Sequence, residues 1–381
     1  MSATEKPIHR SALLLTVNAC MFVFGVVLLL MGSLLPSLTV SGARAGGLGS
    51  LPLLGILVAT IGIGPVLDKL GVKPALALGL ALVAAALAAM PSCASYGALA
   101  AAALVYGFGG GILNTATNAL VSELSAGARG VALNLLGFSF SLGAVTAPLL
   151  GSFASGVSTA TMLYVLAAAP AAVLILVLFL GFPGAARAAT PLADLVRVLN
   201  NPVVWLIGLL LFFESENENC MFVWAAKVMK GVLHLSFDRA DLALVCLSIA
   251  LGAGRLMAAL GLKRLGNRNL LLLACVVTMA GALVTHSGAS FAGMMAGFAL
   301  LGLGMSAVFP TALGVAGDYF PKETGTVFGA VMTVALVGGT AGPAIGGWLA
   351  ERGAAAVLWA PMVGAIGIAI CTLVVLRLAP R

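Results

Sequence analysis

The chain has 381 residues, of which 61% are hydrophobic and only 8% are charged, and its mean hydropathy is +1.16. A soluble domain carries ~25% charged residues to cover its surface, so the composition excludes an ordinary soluble protein. The net charge of +7 comes from bases that flank apolar runs, and no nucleic-acid partner is expected. The six cysteines lack a metal-ligand spacing, so no metal or cofactor is expected either. The sequence indicates a protein surrounded by membrane lipids.

Apolar runs are long enough to cross a membrane at many points of the chain. A transmembrane helix needs roughly 20 apolar residues, whereas β-barrel strands would show short alternating segments, which are absent. The runs are Ser11–Pro36, Gly46–Leu67, Pro74–Met90, Tyr96–Ser122, Gly130–Phe153, Ala160–Phe182, Pro202–Ala226, Asp241–Leu262, Asn269–Thr285, Phe291–Val315, Gly325–Leu349 and Ala354–Leu376. The sequence therefore predicts an all-α membrane protein with twelve transmembrane helices.

Lysine and arginine are unequally distributed between the predicted loops. Most of them, including Lys69, Lys73, Lys322 and Arg377, lie on the side that holds both termini. Basic loops stay on the cytoplasmic side, so both termini are predicted to be cytoplasmic. The first apolar run is too long for a signal peptide and lacks a cleavage site, so we interpret it as a retained helix. We expect a multi-pass protein of a bacterial-type inner membrane.

The sequence repeats itself at an offset of 195 residues. Asp68–Lys73 aligns with Lys263–Arg268 in this register. Further aligned pairs are Glu123 with Asp318, Gly130 with Gly325, Gly143 with Gly338, Pro148 with Pro343 and Gly151 with Gly346. One ungapped offset across several helices indicates a six-helix unit used twice. The predicted organisation is an N-terminal half (1–182), a cytoplasmic linker (183–201) and a C-terminal half (202–381).

Three segments resemble a known family. Gly64–Lys73, with the sequence GPVLDKLGVK, resembles the G-x-x-x-D-[RK]-x-G-x-[RK] loop of the major facilitator superfamily. Gly143–Gly151 and Gly338–Gly347 resemble the G-x-x-x-x-P-x-x-G elements of its fifth and eleventh helices. The resemblance implies two pseudo-symmetric six-helix halves, with a substrate site near the membrane midplane and transport by alternating access. The resemblance does not indicate which solute is transported.

Two shorter segments narrow the resemblance. Gly107–Asn118 is similar to the fourth helix of the fucose–galactose–proton symporter family, and Glu218–Trp224 resembles its E-N-x-x-x-G-W pattern, with Val223 where glycine is usual. This likeness implies a small polar solute, above all a monosaccharide, and H⁺ as the coupling ion. The acids that the family uses in its first and fourth helices are absent here. Coupling could therefore have moved to the seventh helix, use Na⁺, or be absent.

Three glutamates, Glu214, Glu216 and Glu218, lie inside the seventh predicted span. An ionised carboxylate at mid-membrane costs at least ~2.5 kcal/mol, so three of them are not expected to face lipid. Glu214 and Glu218 share a helix face at i, i+4, where like charges repel and proton uptake is favoured. We expect these two to couple transport to protons. The alternative is a helix that ends near Phe213, with the glutamates in an exterior loop.

Arg255 lies within the eighth predicted span and needs a partner there. Counting the helix rise places Glu214 within ~6 Å of its depth, so Glu214 is the expected partner in an ion pair. A second interpretation is a site for an anionic substrate, since monocarboxylate transporters resemble this chain in having an eighth-helix arginine. The first helix lacks the lysine and acidic pattern of those proteins.

Amide side chains and one tryptophan are the candidates for contact with a polar solute. Amides both donate and accept hydrogen bonds, which suits sugar hydroxyls, and an indole can stack on a sugar ring. The alternative is that the amides join helices and the tryptophan marks the membrane interface. The predicted substrate-binding residues are Asn18, Asn114, Asn118, Asn134, Glu214, Glu218, Asn219, Trp224 and Arg255.

Charged residues at the cytoplasmic ends of the helices form a predicted gate. They are expected to pair with neighbouring bases or with helix N-termini when the cytoplasmic side is closed. The gate comprises Asp68, Lys69, Glu123, Arg129 and Asp318, with Lys322 nearby.

The sequence thus predicts a monomeric secondary active transporter for a small-molecule substrate. Motifs for hydrolytic or metal chemistry and for nucleotide binding are absent, so neither an enzyme nor an ATP-driven pump is expected. Three alternatives stay open: an efflux carrier for lipophilic compounds, an organic-anion transporter that uses Arg255, and a sensor that does not transport.

Overall fold

A computed structural model describes residues 10–34, 42–153, 158–183, 196, 198–234, 240, 242–288 and 290–378. The regular structure of these ranges is helical. Its elements are α1 (Arg10–Leu34), α2 (Gly42–Leu70), α3 (Val72–Ala89), α4 (Tyr96–Leu124), α5 (Arg129–Phe153), α6 (Thr159–Phe179), α7 (Pro202–Leu233), α8 (Leu242–Ser287), α9 (Phe291–Ser306), α10 (Val308–Tyr319), α11 (Thr324–Ala350) and α12 (Trp359–Leu378). Short 3₁₀ turns at Met90–Ser92 and Ala354–Leu358 precede α4 and α12.

Ten helical stretches of the described chain are long and apolar enough to cross a membrane. The long helix α8 supplies two of them, Leu242–Leu262 and Arg264–Ser287, while α9 and α10 together supply one, Phe291–Tyr319. Helices α5 and α7 are not among the ten. Helix α7 contains the three glutamates and two lysines, which lower its hydropathy. The all-helical fold is confirmed, and the count of twelve spans stays a prediction.

Two turns repeat the same backbone conformation at the 195-residue offset. Gly71, between α2 and α3, has φ 83° and ψ 170°. Gly266, inside α8, has φ 71° and ψ 164° and separates two helical segments. Both lie in the region that favours glycine, because a side chain there meets the backbone. The repeated sequence therefore forms the same tight turn twice.

The described helices group into two compact units. The first comprises Met1–Leu124, Ser139–Leu195 and Lys322–Gly329, and the second comprises Ser125–Phe138, Val196–Pro321 and Ala330–Arg381. The beginning of α5 thus belongs to the second unit and the beginning of α11 to the first. The boundaries predicted from the repeat (1–182, 183–201 and 202–381) would keep each of these helices whole within one half.

Glycines bring helices close together within each unit. In the first unit a Cβ atom on Gly107 of α4 would overlap the backbone of Pro52 in α2. In the second unit a Cβ atom on Gly302 of α9 would overlap the backbone of Leu247 in α8. Both members of the second pair lie 195 residues after those of the first. Small residues permit this close approach in membrane helices, so the repeated glycines set the helix packing.

Side chains of α7, α8, α9 and α12 form the apolar core of the second unit. The fully buried Met221, Leu247, Phe298 and Leu301 lie at its centre. Helix α7 is held on this core by its apolar residues, and this contact fixes the direction in which its glutamates point.

Candidate functional site

The acidic run lies in the middle of a continuous helix. Helix α7 begins after Asn201, whose side chain accepts a hydrogen bond from Val203 N at 2.9 Å, and Pro202 occupies its first turn. It continues for 32 residues to Leu233, and His234 ends it in the left-handed conformation with φ 54°. The alternative of a helix that ends near Phe213 is therefore wrong.

Successive residues of the acidic run face different neighbours, because each step along a helix turns by about 100°. Glu214 and Glu218 face α8 and its Arg255. Asn217 faces α12, where its amide fills the space beside a glycine. The backbone at Glu216 contacts α11. The three glutamates therefore do not form one cluster but divide between two faces of α7.

Arg255 of α8 lies opposite the face of α7 that carries Glu214 and Glu218, and it is 5% exposed. Its Nη2 donates to Glu218 Oε2 at 3.4 Å, and its Nη1 donates to the carbonyl oxygen of Gly137 in α5 at 3.0 Å. The ion-pair partner is thus Glu218, whereas the sequence predicted Glu214, one helical turn away. The sequence-based estimate of depth in the membrane assumed straight helices whose first residues are known. An error of a few residues in a first residue shifts the estimated depth by one helical turn.

Glu214 lies one helical turn before Glu218 on α7 and is 1% exposed. Ser215 Oγ donates to its Oε2 at 3.0 Å. Its Oε1 has no hydrogen-bond partner among the described residues, and the carboxyl group lies within the electrostatic influence of both Glu218 and Arg255. Two neighbouring carboxylates repel each other, and a proton bound to either of them removes that repulsion. The buried Arg255 and Glu214 and the partly buried Glu218 thus form a site that can hold or release a proton.

Glu216 lies on the other face and is 4% exposed. In the orientation that satisfies its neighbours, the Asn217 amide nitrogen donates to Glu216 Oε2 at 2.9 Å and to the Ala360 carbonyl oxygen of α12 at 3.2 Å. Glu216 Oε1 is buried and has no hydrogen-bond partner among the described residues. Glu216 forms no ion pair with the residues that the structure describes.

Trp224 and Asn219 lie further along α7. The Trp224 Nε1 donates to the carbonyl oxygen of Pro343 in α11 at 3.0 Å, and Lys227 Nζ lies 4.4 Å from the centre of its ring. Asn219 is exposed, and its Nδ2 donates to the Ser215 carbonyl oxygen of its own helix at 2.9 Å. The indole donor therefore joins α7 to α11 in this structure.

Three of the predicted amides lie in the first unit. Asn118 Nδ2 donates to Asn114 Oδ1 at 3.1 Å, and the two side chains are 3% and 8% exposed. Asn18 is partly buried, and its Oδ1 accepts from Ser139 Oγ at 2.7 Å. Asn114 and Asn118 thus form a pair, while Asn18 joins α1 to α5.

Asn134 belongs to the second unit and is fully buried. Its Nδ2 donates to Gly130 O at 2.8 Å and to Thr311 Oγ1 of α10 at 3.3 Å. The predicted substrate-binding residues are therefore divided between the units. Asn18, Asn114 and Asn118 lie in the first, and Asn134, Glu214, Glu218, Asn219, Trp224 and Arg255 lie in the second.

Asp68 caps the N-terminus of α11 within the first unit. Its carboxylate accepts hydrogen bonds from Gly325 N at 3.1 Å, from Thr326 N at 3.0 Å and from Thr326 Oγ1 at 2.5 Å. A carboxylate at a helix N-terminus satisfies free backbone donors and complements the helix dipole. The expected contact of an acid with a helix N-terminus is thus present at Asp68.

Arg129 forms an ion pair with Asp318 within the second unit. The pair joins the start of α5 to the end of α10, and the Asp318 side chain is 47% exposed. Lys69 and Glu123 are exposed and form no hydrogen bond or ion pair with the described residues. Three of the five predicted gate residues therefore make polar contacts between helices.

Sequence reasoning missed several residues that complete these contacts. Gly137 offers its carbonyl oxygen to Arg255, Thr326 binds Asp68 and Thr311 binds Asn134. Asn217 was not selected, although an amide next to a buried carboxyl is a signal in the sequence itself. Backbone acceptors such as Gly137 O leave no signal in the side chains.

The family model of the Major Facilitator Superfamily matches residues 13–225 and 216–381. An uncharacterized MFS-type transporter of Yersinia pestis is 28% identical over 148 residues, which span 39% of this chain and 38% of that protein. The chain thus matches well under half the length of this relative.

Solved structures are similar over almost the whole chain. The fucose:proton symporter FucP of E. coli has a TM-score of 0.82 and 19% identity, with 97% of this chain and 98% of that chain covered. The human organic anion transporter MFSD10 has a TM-score of 0.75 and 19% identity, with 97% and 100% covered. At this identity the likeness shows the fold alone. Together with the match of the family model to nearly every residue, it means that the chain belongs to the Major Facilitator Superfamily, a family of transporters.

Proposed function

We propose that this protein is a secondary active transporter that moves a small polar solute, most simply a monosaccharide, together with protons by alternating access. The observation that carries the proposal is the group formed by the buried Glu214 and Arg255 with the partly buried Glu218 in the second unit. In a membrane-spanning bundle, such ionisable residues mark solute pathways and proton relays.

The coupling step is assigned to Glu218 and Glu214. Glu218 is bound to Arg255 when it is ionised, and protonation removes its charge and weakens that pair. Glu214, one turn away, can accept the proton or the guanidinium in exchange. A proton that enters this group thus changes how Arg255 holds α7, α8 and α5 together.

We propose candidates for solute contact in each unit taken by itself. Asn114 and Asn118 offer donors and acceptors in the first unit, while Asn219 and Trp224 lie on α7 of the second. FucP, whose fold is similar, is a fucose:proton symporter, which favours a sugar among the polar solutes. We further propose that the chain acts as a monomer without a cofactor in a bacterial inner membrane, with both termini in the cytoplasm.

Closure on the cytoplasmic side is assigned to the polar contacts at the helix ends. Asp68 binds the start of α11, and Arg129 binds Asp318. Lys69 and Glu123 are exposed and are assigned a supporting role. In alternating access such contacts break when the protein opens on their side, so they set the equilibrium between the two states.

A thermal-shift screen followed by counterflow tests this proposal. Purified protein is heated with monosaccharides, carboxylates or lipophilic cations, because a bound ligand raises the unfolding temperature by mass action. Solutes that stabilise it are assayed by counterflow in proteoliposomes, with the pH and Na⁺ gradients varied separately. We expect a pH gradient to drive uptake of a sugar into the proteoliposomes. We expect Glu218→Gln to abolish this gradient-driven uptake. Gradient-driven uptake that persists in Glu218→Gln contradicts the coupling role.

A second candidate substrate class is an organic anion, which would bind Arg255. The guanidinium of Arg255 is buried beside two carboxyl groups, and protonation of these groups would leave its charge for a substrate carboxylate. The similar fold of MFSD10 belongs to an organic anion transporter. Stabilisation by carboxylates that disappears in Arg255→Lys supports this candidate. Stabilisation by lipophilic compounds alone, unchanged in Asn114→Ala and Asn118→Ala, supports an efflux carrier.

A further inference from the structure

Glu216 is a buried acid that the proposed coupling step does not use. It is 4% exposed, and its position two residues from both Glu214 and Glu218 turns it away from Arg255. The described helix α11 contacts its backbone through Gly342, and its Oε2 accepts from Asn217. Its second oxygen, Oε1, is buried with no partner among the described residues.

Among the residues that the structure describes, no cation forms an ion pair with Glu216. On α7 its titratable neighbour is Cys220, one turn further along. On α11 the contact is a glycine, and on α12 it is the Ala360 carbonyl oxygen, reached through Asn217. A metal ion needs several oxygen ligands, and groups of three metal-ligating side chains are absent from the described residues. The small cation that one carboxyl oxygen can hold by itself is a proton.

We propose that Glu216 is a second proton-binding site of α7, separate from the Glu214–Glu218–Arg255 group. The Asn217 amide stabilises Glu216 through Oε2 in either state, and Oε1 is the atom that gains or loses the proton. Because Asn217 also donates to the Ala360 carbonyl oxygen, proton release from Glu216 strengthens one end of a hydrogen-bonded link between α7 and α12. Helix α7 then binds protons at two places. This inference deepens the proposed proton coupling, and the role of Glu216 in transport rests on that proposed function.

Infrared difference spectroscopy tests this inference without measuring transport. Purified protein in lipid nanodiscs is titrated with pH, and the C=O stretch of protonated carboxyl groups is followed as it converts to the carboxylate bands. The variants are Glu216→Gln, Glu214→Gln and Glu218→Gln, which keep the side-chain shape and remove one titrating group each. Glu351→Gln, which alters an exposed acid after α11, is the matched control for a carboxyl group in water.

The expected result is a buried carboxyl component that titrates in the wild type, is lost in Glu216→Gln and is retained in Glu214→Gln, Glu218→Gln and Glu351→Gln. If Glu216→Gln does not fold, Asn217→Leu serves instead, because loss of the hydrogen bond to Oε2 moves the same component to higher wavenumber. Spectra of both variants that match the wild type overturn the proposal. The measurement detects protonation and not flux. A failure of the proposed transport function can therefore be distinguished from a failure of this inference.

Discussion

Arg255 reaches the backbone of α5 because residue 137 is a glycine. A Cβ atom at Gly137 would lie 3.2 Å from Arg255 Cδ and 3.4 Å from its Nε, which is closer than side chains normally pack. The glycine therefore leaves the space in which the Arg255 side chain packs against α5. Its carbonyl oxygen accepts the 3.0 Å hydrogen bond from Nη1 at the same place.

Gly137→Ala is expected to lower the counterflow rate by about tenfold. The added methyl group displaces the guanidinium, and a hydrogen bond to a charged group contributes about 1.5–3 kcal/mol, of which ~1.4 kcal/mol already equals a factor of ten. The measurement is the initial rate with the solute that the thermal screen selects. Gly62→Ala in α2 is the matched control, because a Cβ atom there meets no atom within 4 Å. A wild-type rate in Gly137→Ala would show that the position of Arg255 does not matter for transport.

Glu214 and Glu218 are expected to replace one another as partners of Arg255. Glu218→Gln alone lowers the unfolding temperature only slightly, because Glu214 lies one turn away and remains within the field of the arginine. The double variant Glu214→Gln/Glu218→Gln leaves the buried cation uncompensated, a change that costs roughly 3–5 kcal/mol in soluble proteins. Addition of Arg255→Gln recovers most of that loss. Thermal unfolding in detergent measures all three, and additive effects of the two glutamates would contradict the exchange.

Loss of the Asp68 cap is expected to destabilise the start of α11. Asp68→Ala removes the acceptor of three hydrogen bonds and costs about 1 kcal/mol, the usual effect of an N-cap side chain. Asp68→Asn retains an acceptor of similar shape and costs less. Hydrogen–deuterium exchange at the amides of Gly325 and Thr326 reports the effect locally. Lys69→Ala, at the exposed neighbour, leaves this exchange unchanged; faster exchange there would mean that the whole turn has loosened.

The ion pair of Arg129 with Asp318 is expected to contribute little to stability. The Asp318 side chain is 47% exposed, and water and salt screen such pairs. A double-mutant cycle of Arg129→Ala and Asp318→Ala should give a coupling free energy below ~1 kcal/mol that decreases as NaCl is added. A larger coupling that is insensitive to salt would mean that the pair is shielded from solvent in the membrane.

The helical fold and the regions of the site could be predicted from the sequence because they depend on periodic and local features. Apolar length identifies the helices, and the residue pattern of Gly64–Lys73 identifies the loop in which Asp68 lies. The step of about 100° per residue already separates Glu216 from Glu214 and Glu218. These features need no knowledge of how the helices contact one another.

The pairing of residues from different helices could not be predicted in the same way. Whether Arg255 pairs with Glu218 or with Glu214 depends on the tilt and register of α7 against α8. The linear sequence does not specify either of these. The division of α5 after Phe138 and of α11 after Gly329 depends on which helices each segment touches. The contacts of Trp224 with Pro343 O and of Arg255 with Gly137 O use backbone acceptors, which every residue possesses.

The matching turns at Gly71 and Gly266 are what a gene duplication and fusion would leave behind. Both copies have the glycine that this positive-φ backbone favours and a base at the next-but-one position before it (Lys69 and Arg264), whereas Asp68 in one copy corresponds to Lys263 in the other. The carboxylate that caps α11 therefore exists in one copy only. The difference between Asp68 and its counterpart Lys263 thus restricts this helix cap to one of two otherwise matching turns.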